Sequence, residues 1–202
     1  LQRKCLMLFS AYNGSVALDD TTMDYVRFGR GEKNLILLPG LVDGLVTVKG
    51  KALMMAASYG KVTRGYTVYM FSRRNHLPEN FTLDQSAADL AIAMEKLGMD
   101  RADVIGISQG GMIAQKLALL YPEKIGKLVL GVTTAAAGPY LTEAASLWMD
   151  YARKADYKNL MIDTAERTYK NLHDTAKEIQ QADNLQRQRW KHVLCERCRK
   201  HR

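Results

Sequence analysis

Long apolar runs are absent from this sequence, and none approaches the roughly 18 residues that a membrane-spanning helix needs. Cysteine is scarce as well: Cys5, Cys195 and Cys198 are too few for a disulfide scaffold, which favours the reducing cytoplasm. The first residues place Arg3 and Lys4 before an apolar stretch of about seven residues, the lower limit for a secretory signal, and no small-residue cleavage site clearly follows. We therefore expect a cytoplasmic protein with no membrane partner.

Acidic residues are fewer than basic ones: the chain has 21 aspartates and glutamates and 29 lysines and arginines. Seven of the basic residues and one acid fall within residues 186–202, so the rest of the chain carries a net charge of only +2. The excess positive charge is thus confined to a tail that has Trp190 as its single aromatic residue. Such a tail is a weak signal for nucleic-acid binding. We expect no nucleic-acid partner.

Strand-like and helix-like segments alternate along the first 138 residues. Strand-like apolar runs occur at 35–38, 66–71, 102–107 and 127–132, after an earlier strand within 14–28. Helical patterns occupy 48–60, 83–97 and 109–121; the second begins with a capping box formed by Thr82 and Gln85 and ends at Gly98. This alternation predicts an α/β fold in which helices cover both faces of a mostly parallel sheet.

The pattern changes at Pro139. No strand-like run follows, and residues 141–182 have helical spacing throughout. We predict three parts: an α/β core at 1–138, a helical segment at 139–185 and a basic tail at 186–202. Four apolar residues of the helical segment either cover a site on the core or pack helix against helix, and their spacing fits both alternatives: Leu147, Trp148, Tyr151 and Met161.

A G-x-S-x-G motif, Gly106-Ile107-Ser108-Gln109-Gly110, joins the 102–107 strand to the 109–121 helix. A serine on so sharp a turn has a strained backbone, which requires residues without side chains two positions before and after it; Gly106 and Gly110 meet that condition. The hydroxyl would stand clear of the sheet, and the helix N-terminus would favour negative charge beside it. The motif predicts a nucleophilic serine. The alternative is that the glycines only permit close packing and that Ser108 caps the helix.

With three further segments, this motif resembles the α/β-hydrolase superfamily, in particular bacterial esterase-like serine hydrolases with a helical cap. The segments are Leu37-Leu38-Pro39-Gly40-Leu41, the helix end Leu97-Gly98, and Tyr121-Pro122-Glu123-Lys124-Ile125 before Leu128-Val129-Leu130. The resemblance covers residues 14–170. It implies a three-layer α/β-hydrolase fold in which residues 139–185 form the cap.

The resemblance also implies roles for individual residues. Ser108 would be the nucleophile, and the backbone N–H groups of Gln109 and Leu41 would form the oxyanion hole. The expected reaction is hydrolysis of a small carboxylic ester or related acyl substrate through an acyl-enzyme, without a metal or organic cofactor. Many relatives have an Asp-x-Arg-Gly loop after the next strand; here only Arg73 is retained, and His76 is expected to be a solvent-facing loop residue.

The histidine base and the orienting acid are missing from the expected places. In this superfamily both follow the serine in sequence, on loops after further strands. None of His173, His192 and His201 follows a strand-like run, and Thr133-Thr134 stands where an acid would end the 127–132 strand. Three explanations stay open. The chain is C-terminally incomplete through truncation or a frame shift, it has lost catalysis and binds or interacts instead, or a tail histidine folds back over Ser108.

Two further expectations concern the end of the chain. An incomplete sheet would expose an unpaired edge, through which the protein would self-associate. The tail also carries ligand types that zinc favours, spaced three residues apart: His192, Cys195, Cys198 and His201. Structural zinc sites usually join two ligand pairs separated by about a dozen residues, which lets the chain wrap the ion. We therefore expect no metal site.

Overall fold

A single six-stranded sheet organises the computed structural model, which describes residues 10–41 and 47–169. The spatial order of its strands is β1-β2-β4-β3-β5-β6. β3 to β6 are mutually parallel, whereas β1 and β2 pair antiparallel at one side. The predicted mostly parallel sheet is confirmed, with these bounds: β1 Tyr12–Ala17, β2 Thr22–Gly29, β3 Lys33–Leu38, β4 Tyr66–Arg74, β5 Ala102–Ile107 and β6 Ile125–Gly131.

Within the described residues, three helices cover the two faces of this sheet: α1 Ala52–Tyr59, α2 Leu83–Lys96 and α3 Gln109–Leu120. The alternation of side chains along β3 shows how the layers form. Ile36 and Leu38 are buried in a core cluster with α2 and α3, while Leu35 and Leu37 are buried in a second cluster with α1. Because successive residues of a strand point to opposite faces, a strand buried on both faces reads as a continuous apolar run. The three-layer α/β architecture is confirmed.

The capping box predicted for α2 is present. The Thr82 hydroxyl accepts a hydrogen bond from the Gln85 N–H at 3.2 Å, and the Gln85 side-chain oxygen accepts one from the Thr82 N–H at 2.8 Å. These bonds satisfy N–H groups that a helix start otherwise leaves unpaired. Gly98 follows the helix at φ +65°, a conformation that side chains disfavour.

One edge of the sheet is β6, which among the described residues pairs with β5 alone. Val129 is 54% exposed and Leu130 is 42% exposed. These neighbours point to opposite faces of the strand, so the described residues leave both faces of β6 partly uncovered. Among the described residues β6 is therefore an edge strand, and the exposed edge expected of the protein stays a prediction.

After the core, the described residues 137–169 belong to a second compact unit. Its described part is a pair of helices, α4 Pro139–Arg153 and α5 Tyr157–Tyr169. The Trp148 indole N–H donates to an Asp163 carboxylate oxygen at 2.7 Å, which ties α4 to α5. The hydrogen bond from Arg167 at 2.8 Å holds the pKa of Asp163 below its ordinary value.

Trp148 thus takes part in helix-to-helix packing. Leu147 and Tyr151 are half-buried, and Met161 is 59% exposed. The cap role of residues 139–185 stays a prediction. The tail at 186–202, with His192, Cys195, Cys198 and His201, lies outside the described residues, as does His173. Within the described ranges, no helix has the length and apolar character needed to cross a bilayer.

Loss of the capping box should weaken the core measurably. We expect Thr82→Ala to lower the free energy of unfolding by about 1 kcal/mol, because it leaves the Gln85 N–H without its acceptor. Thr82→Ser keeps a hydroxyl at the same place and should change the stability little. Urea unfolding followed by circular dichroism measures both variants. Equal stabilities of the alanine and serine variants would contradict the role of the cap.

Candidate active site

Ser108 occupies the single residue between β5 and α3, with φ 52° and ψ −121°. This backbone conformation is unfavourable for a residue with a side chain and costs about 1–3 kcal/mol. The Ser108 side chain is exposed and makes no hydrogen bond to the helix N-terminus. The alternative that Ser108 serves as a side-chain cap is therefore wrong. The strained turn leaves the hydroxyl available at the start of α3.

The backbone of Ser108 is fixed by bonds on both sides. Its N–H donates to the Gly131 carbonyl oxygen at 3.0 Å, which ties it to the end of β6. Its carbonyl oxygen accepts from the N–H groups of Gly111 and Met112, at 2.9 and 3.2 Å, and from the Thr133 hydroxyl at 2.7 Å. Because the surroundings determine both peptide groups, the turn can hold its strained conformation.

Close packing explains the glycines around Ser108. A Cβ on Gly106 would lie 2.6 Å from the Cα of Gly111, and one on Gly110 would lie 2.1 Å from the Leu38 carbonyl oxygen. Both distances are far below van der Waals contact, and in both cases the obstacle is backbone that cannot rotate away. The first turn of α3 therefore lies directly against the ends of β5 and β3. The need for glycine that the motif predicted at these two positions has a steric cause.

The loop after β3 passes beside Ser108. A Cβ on Gly40 would lie 3.4 Å from the Ser108 Cβ and 3.9 Å from its hydroxyl oxygen. Leu41 follows as the last residue before the undescribed segment 42–46. Gln109 contributes the first N–H of α3, which has no acceptor within the helix. The predicted oxyanion donors thus belong to the two segments that flank Ser108, and their role stays a prediction.

Arg73, the second-to-last residue of β4, contacts both of those segments. Its Nη2 donates to the Pro39 carbonyl oxygen at 3.2 Å and to the Gln109 side-chain oxygen at 2.9 Å, and its Nε approaches the same amide oxygen at 3.3 Å. The side chain is half-buried, and this burial lowers the pKa of Arg73 from its ordinary value. No carboxylate in the described residues pairs with it.

No histidine or acid completes the site within residues 10–41 and 47–169. His76 is the one histidine there, and it is exposed on the loop after β4, as expected. The end of β6 carries Thr133, whose hydroxyl binds the Ser108 carbonyl oxygen instead of orienting a histidine. Likewise, no cluster of metal-ligating side chains occurs in this part of the chain.

Sequence reasoning missed three parts of this arrangement. Gly111 is one, since a Cβ there would lie 2.6 Å from the Thr133 Cβ. Thr133 is the second, and the Gln109 side chain is the third. The doubled glycine of the motif was a usable signal for Gly111. The two polar contacts join residues 25 and 36 positions apart and leave no local signal.

These features define a strand–turn–helix elbow on an α/β sheet, and the chain belongs to the alpha/beta hydrolase fold family. The family model matches residues 33–192, most of the chain. Membership confirms the predicted superfamily and fold.

Individual relatives match over shorter stretches. A homoserine O-acetyltransferase from Thermus thermophilus is 42% identical over 59 residues, 29% of this chain and 16% of the transferase. A 2-hydroxy-6-oxononadienedioate/2-hydroxy-6-oxononatrienedioate hydrolase from a Pseudomonas species is 39% identical over 71 residues, 33% of this chain and 25% of the hydrolase. The matches thus span a quarter or less of these relatives. A solved hydrolase from Pseudomonas aeruginosa PA01 is 28% identical, with a TM-score of 0.55 over 68% of this chain and 50% of that one.

The packing at Gly110 gives a direct test of the elbow. We expect Gly110→Ala to destabilise the fold by about 1–3 kcal/mol or more, because its Cβ would overlap the Leu38 carbonyl. Gly138→Ala is the matched control: its Cβ meets open space, and the loss of a glycine cap should cost less than about 1 kcal/mol. Thermal unfolding measures both. If Gly110→Ala destabilised the protein no more than Gly138→Ala does, that result would contradict the observed packing.

Proposed function

We propose that this chain carries the nucleophile of a serine hydrolase that acts on a small carboxylic ester through an acyl-enzyme at Ser108. The observation that carries the proposal is the strained backbone of Ser108, fixed by four hydrogen bonds while its side chain remains exposed. Strain of this kind persists where the surroundings over-determine it and is concentrated at active sites. A serine needed only for packing or capping would not require it.

The chemistry follows from the position of Ser108. Its Oγ attacks the ester carbonyl carbon, and the carbonyl oxygen becomes an oxyanion. The N–H groups of Gln109 and Leu41 bind this oxyanion, and the N-terminus of α3 favours its charge. Collapse of the intermediate breaks the bond to the alcohol, which leaves with the proton that came from Ser108. Water then attacks the acyl-serine, the bond between the acyl carbon and Oγ breaks, a proton of the water passes to Oγ, and the carboxylic acid is released.

The proton taken from Ser108 requires a base. His76 belongs to the loop after β4 and precedes Ser108 in sequence, whereas the superfamily order places the base after it. The proposal therefore assigns the base to a histidine outside the described residues. Candidates in this chain are His173, His192 and His201.

The relatives support acyl chemistry in broad terms. They include a hydrolase and an O-acetyltransferase, and delivery of an acyl group to water or to an alcohol needs the same activated nucleophile. The small number of cysteines supports the cytoplasm as the proposed compartment.

Covalent labelling tests the assignment of Ser108. We expect a fluorophosphonate probe to label the protein and Ser108→Ala to abolish the labelling, because only an activated serine attacks such a probe. Ser146→Ala, which removes an exposed hydroxyl on α4, should be labelled like the parent protein. Probe fluorescence after gel separation measures all three. Labelling that survives in Ser108→Ala would contradict the proposal, as would folded parent protein that takes up no probe.

A catalytically incomplete protein with a binding role is the second candidate, and the β6 side of the sheet favours it. A groove of about 430 Å³ opens there beside β3, β5 and β6. Its lining is mainly apolar and includes Leu37, Ile105, Ile107 and Val129. Under this candidate β6, which has no second partner strand among the described residues, binds the β6 edge of a second copy of the chain.

Self-association through β6 should respond to charge on the strand. We expect the sedimentation coefficient to rise with concentration, and Val129→Lys to suppress that rise, since a lysine on an edge strand opposes pairing. Leu119→Lys is the matched control, because Leu119 is 75% exposed on α3 and does not line the groove. Sedimentation velocity measures both variants. A protein that stays monomeric at all concentrations would contradict this second candidate.

A further inference from the structure

Arg73 and Arg74 are consecutive residues of β4 with opposite surroundings. Arg74 is bound by carboxylates: its Nε lies 2.9 Å from an Asp89 oxygen, and its Nη2 lies 2.8 Å from Asp20. Phe81 adds a ring 5.1 Å from the guanidinium carbon. Among the described residues Arg73, one residue earlier, binds only neutral acceptors, the Pro39 carbonyl and the Gln109 amide oxygen.

The two acceptors of Arg73 belong to different segments of the chain. Pro39 precedes Gly40, and a Cβ on Gly40 would lie 3.9 Å from the Ser108 hydroxyl oxygen. Gln109 follows Ser108 directly and begins α3. One rigid guanidinium thus connects the loop after β3 to the start of α3, the two segments next to the nucleophile. Because the guanidinium is planar and carries several N–H donors, it can hold two acceptor oxygens at a fixed distance and orientation to each other.

The partial burial of the Arg73 guanidinium without a carboxylate partner among the described residues costs free energy. A guanidinium withdrawn from water without a counter-ion loses hydration that neutral acceptors replace only in part. A hydrophobic residue would fill the same volume without that loss. The contacts of Arg73 therefore indicate a role that its charge and its fork geometry perform together.

From this geometry we infer that Arg73 is a positioning residue for the oxyanion hole. It fixes the spacing between the N–H groups of Leu41 and Gln109 by holding the residue before Gly40 and the side chain of Gln109. The inference rests on the proposed function, since it assigns Arg73 to the reaction of Ser108.

A kinetic comparison of neighbouring arginines tests the inference. We expect Arg73→Lys to lower the second-order rate of fluorophosphonate labelling at least about tenfold, because loss of a single oxyanion donor costs roughly a hundredfold or more. A lysine keeps the charge but cannot bind both acceptors in one plane. Arg74→Lys is the matched control and should leave the labelling rate unchanged. Its thermal midpoint is expected to fall, since Arg74 holds a buried ion pair with Asp89.

A double-mutant cycle separates positioning from general structure. Gln109→Ala removes the other end of the contact and keeps the backbone N–H. Since both changes break one connection, we expect the Arg73→Lys/Gln109→Ala protein to be no slower than the slower single variant. Independent effects would multiply, and that result would overturn the inference.

Hydrogen exchange provides a readout that does not depend on reactivity. We expect Arg73→Lys to speed exchange in peptides containing Gly40 and Leu41, with α2 unchanged. Unchanged exchange at Gly40 and Leu41 would overturn the inference, whatever the labelling shows. If the parent protein takes up no probe, the proposed function fails, and accelerated exchange would still support the structural connection made by Arg73.

Discussion

The contact between the first turn of α3 and the ends of the parallel strands is the constraint on which this structure depends. At Gly110 the helix backbone approaches the Leu38 carbonyl so closely that even a methyl group would overlap it. At Gly106 the strand backbone meets the helix in the same way. Ser108 lies between these two contacts, and its φ of 52° is the conformation that lets the chain pass from strand to helix there.

The site forms because four parallel strands end at the same edge of the sheet. β3 leads into Pro39 and Gly40, β4 provides Arg73, Ser108 follows β5, and Thr133 follows β6. Each of these contributions is fixed by a contact to Ser108 or to its neighbour Gln109. The conformational strain at the serine is therefore offset by bonds that come from separate parts of the sequence.

The structural features that could be predicted from the sequence are those that depend on local interactions. The strand runs, the Thr82–Gln85 capping box and the elbow glycines follow from propensity, capping and sterics, and all are observed. The sequence did not predict the Thr133 hydroxyl on the Ser108 carbonyl or the Arg73 contact with Gln109. Those contacts depend on which strands become neighbours, and the order β4-β3-β5-β6 arises only on folding.

The central claim is that the strained turn aims Ser108 Oγ at a carbonyl carbon beside the two N–H donors. A crystal structure of the fluorophosphonate-treated protein tests it most directly. We expect a Ser108 φ close to 52° in that crystal structure. We also expect a phosphorus atom bonded to Oγ and a phosphoryl oxygen within hydrogen-bond distance of the Gln109 N–H. A Ser108 with negative φ, or a probe attached to another residue, would contradict it.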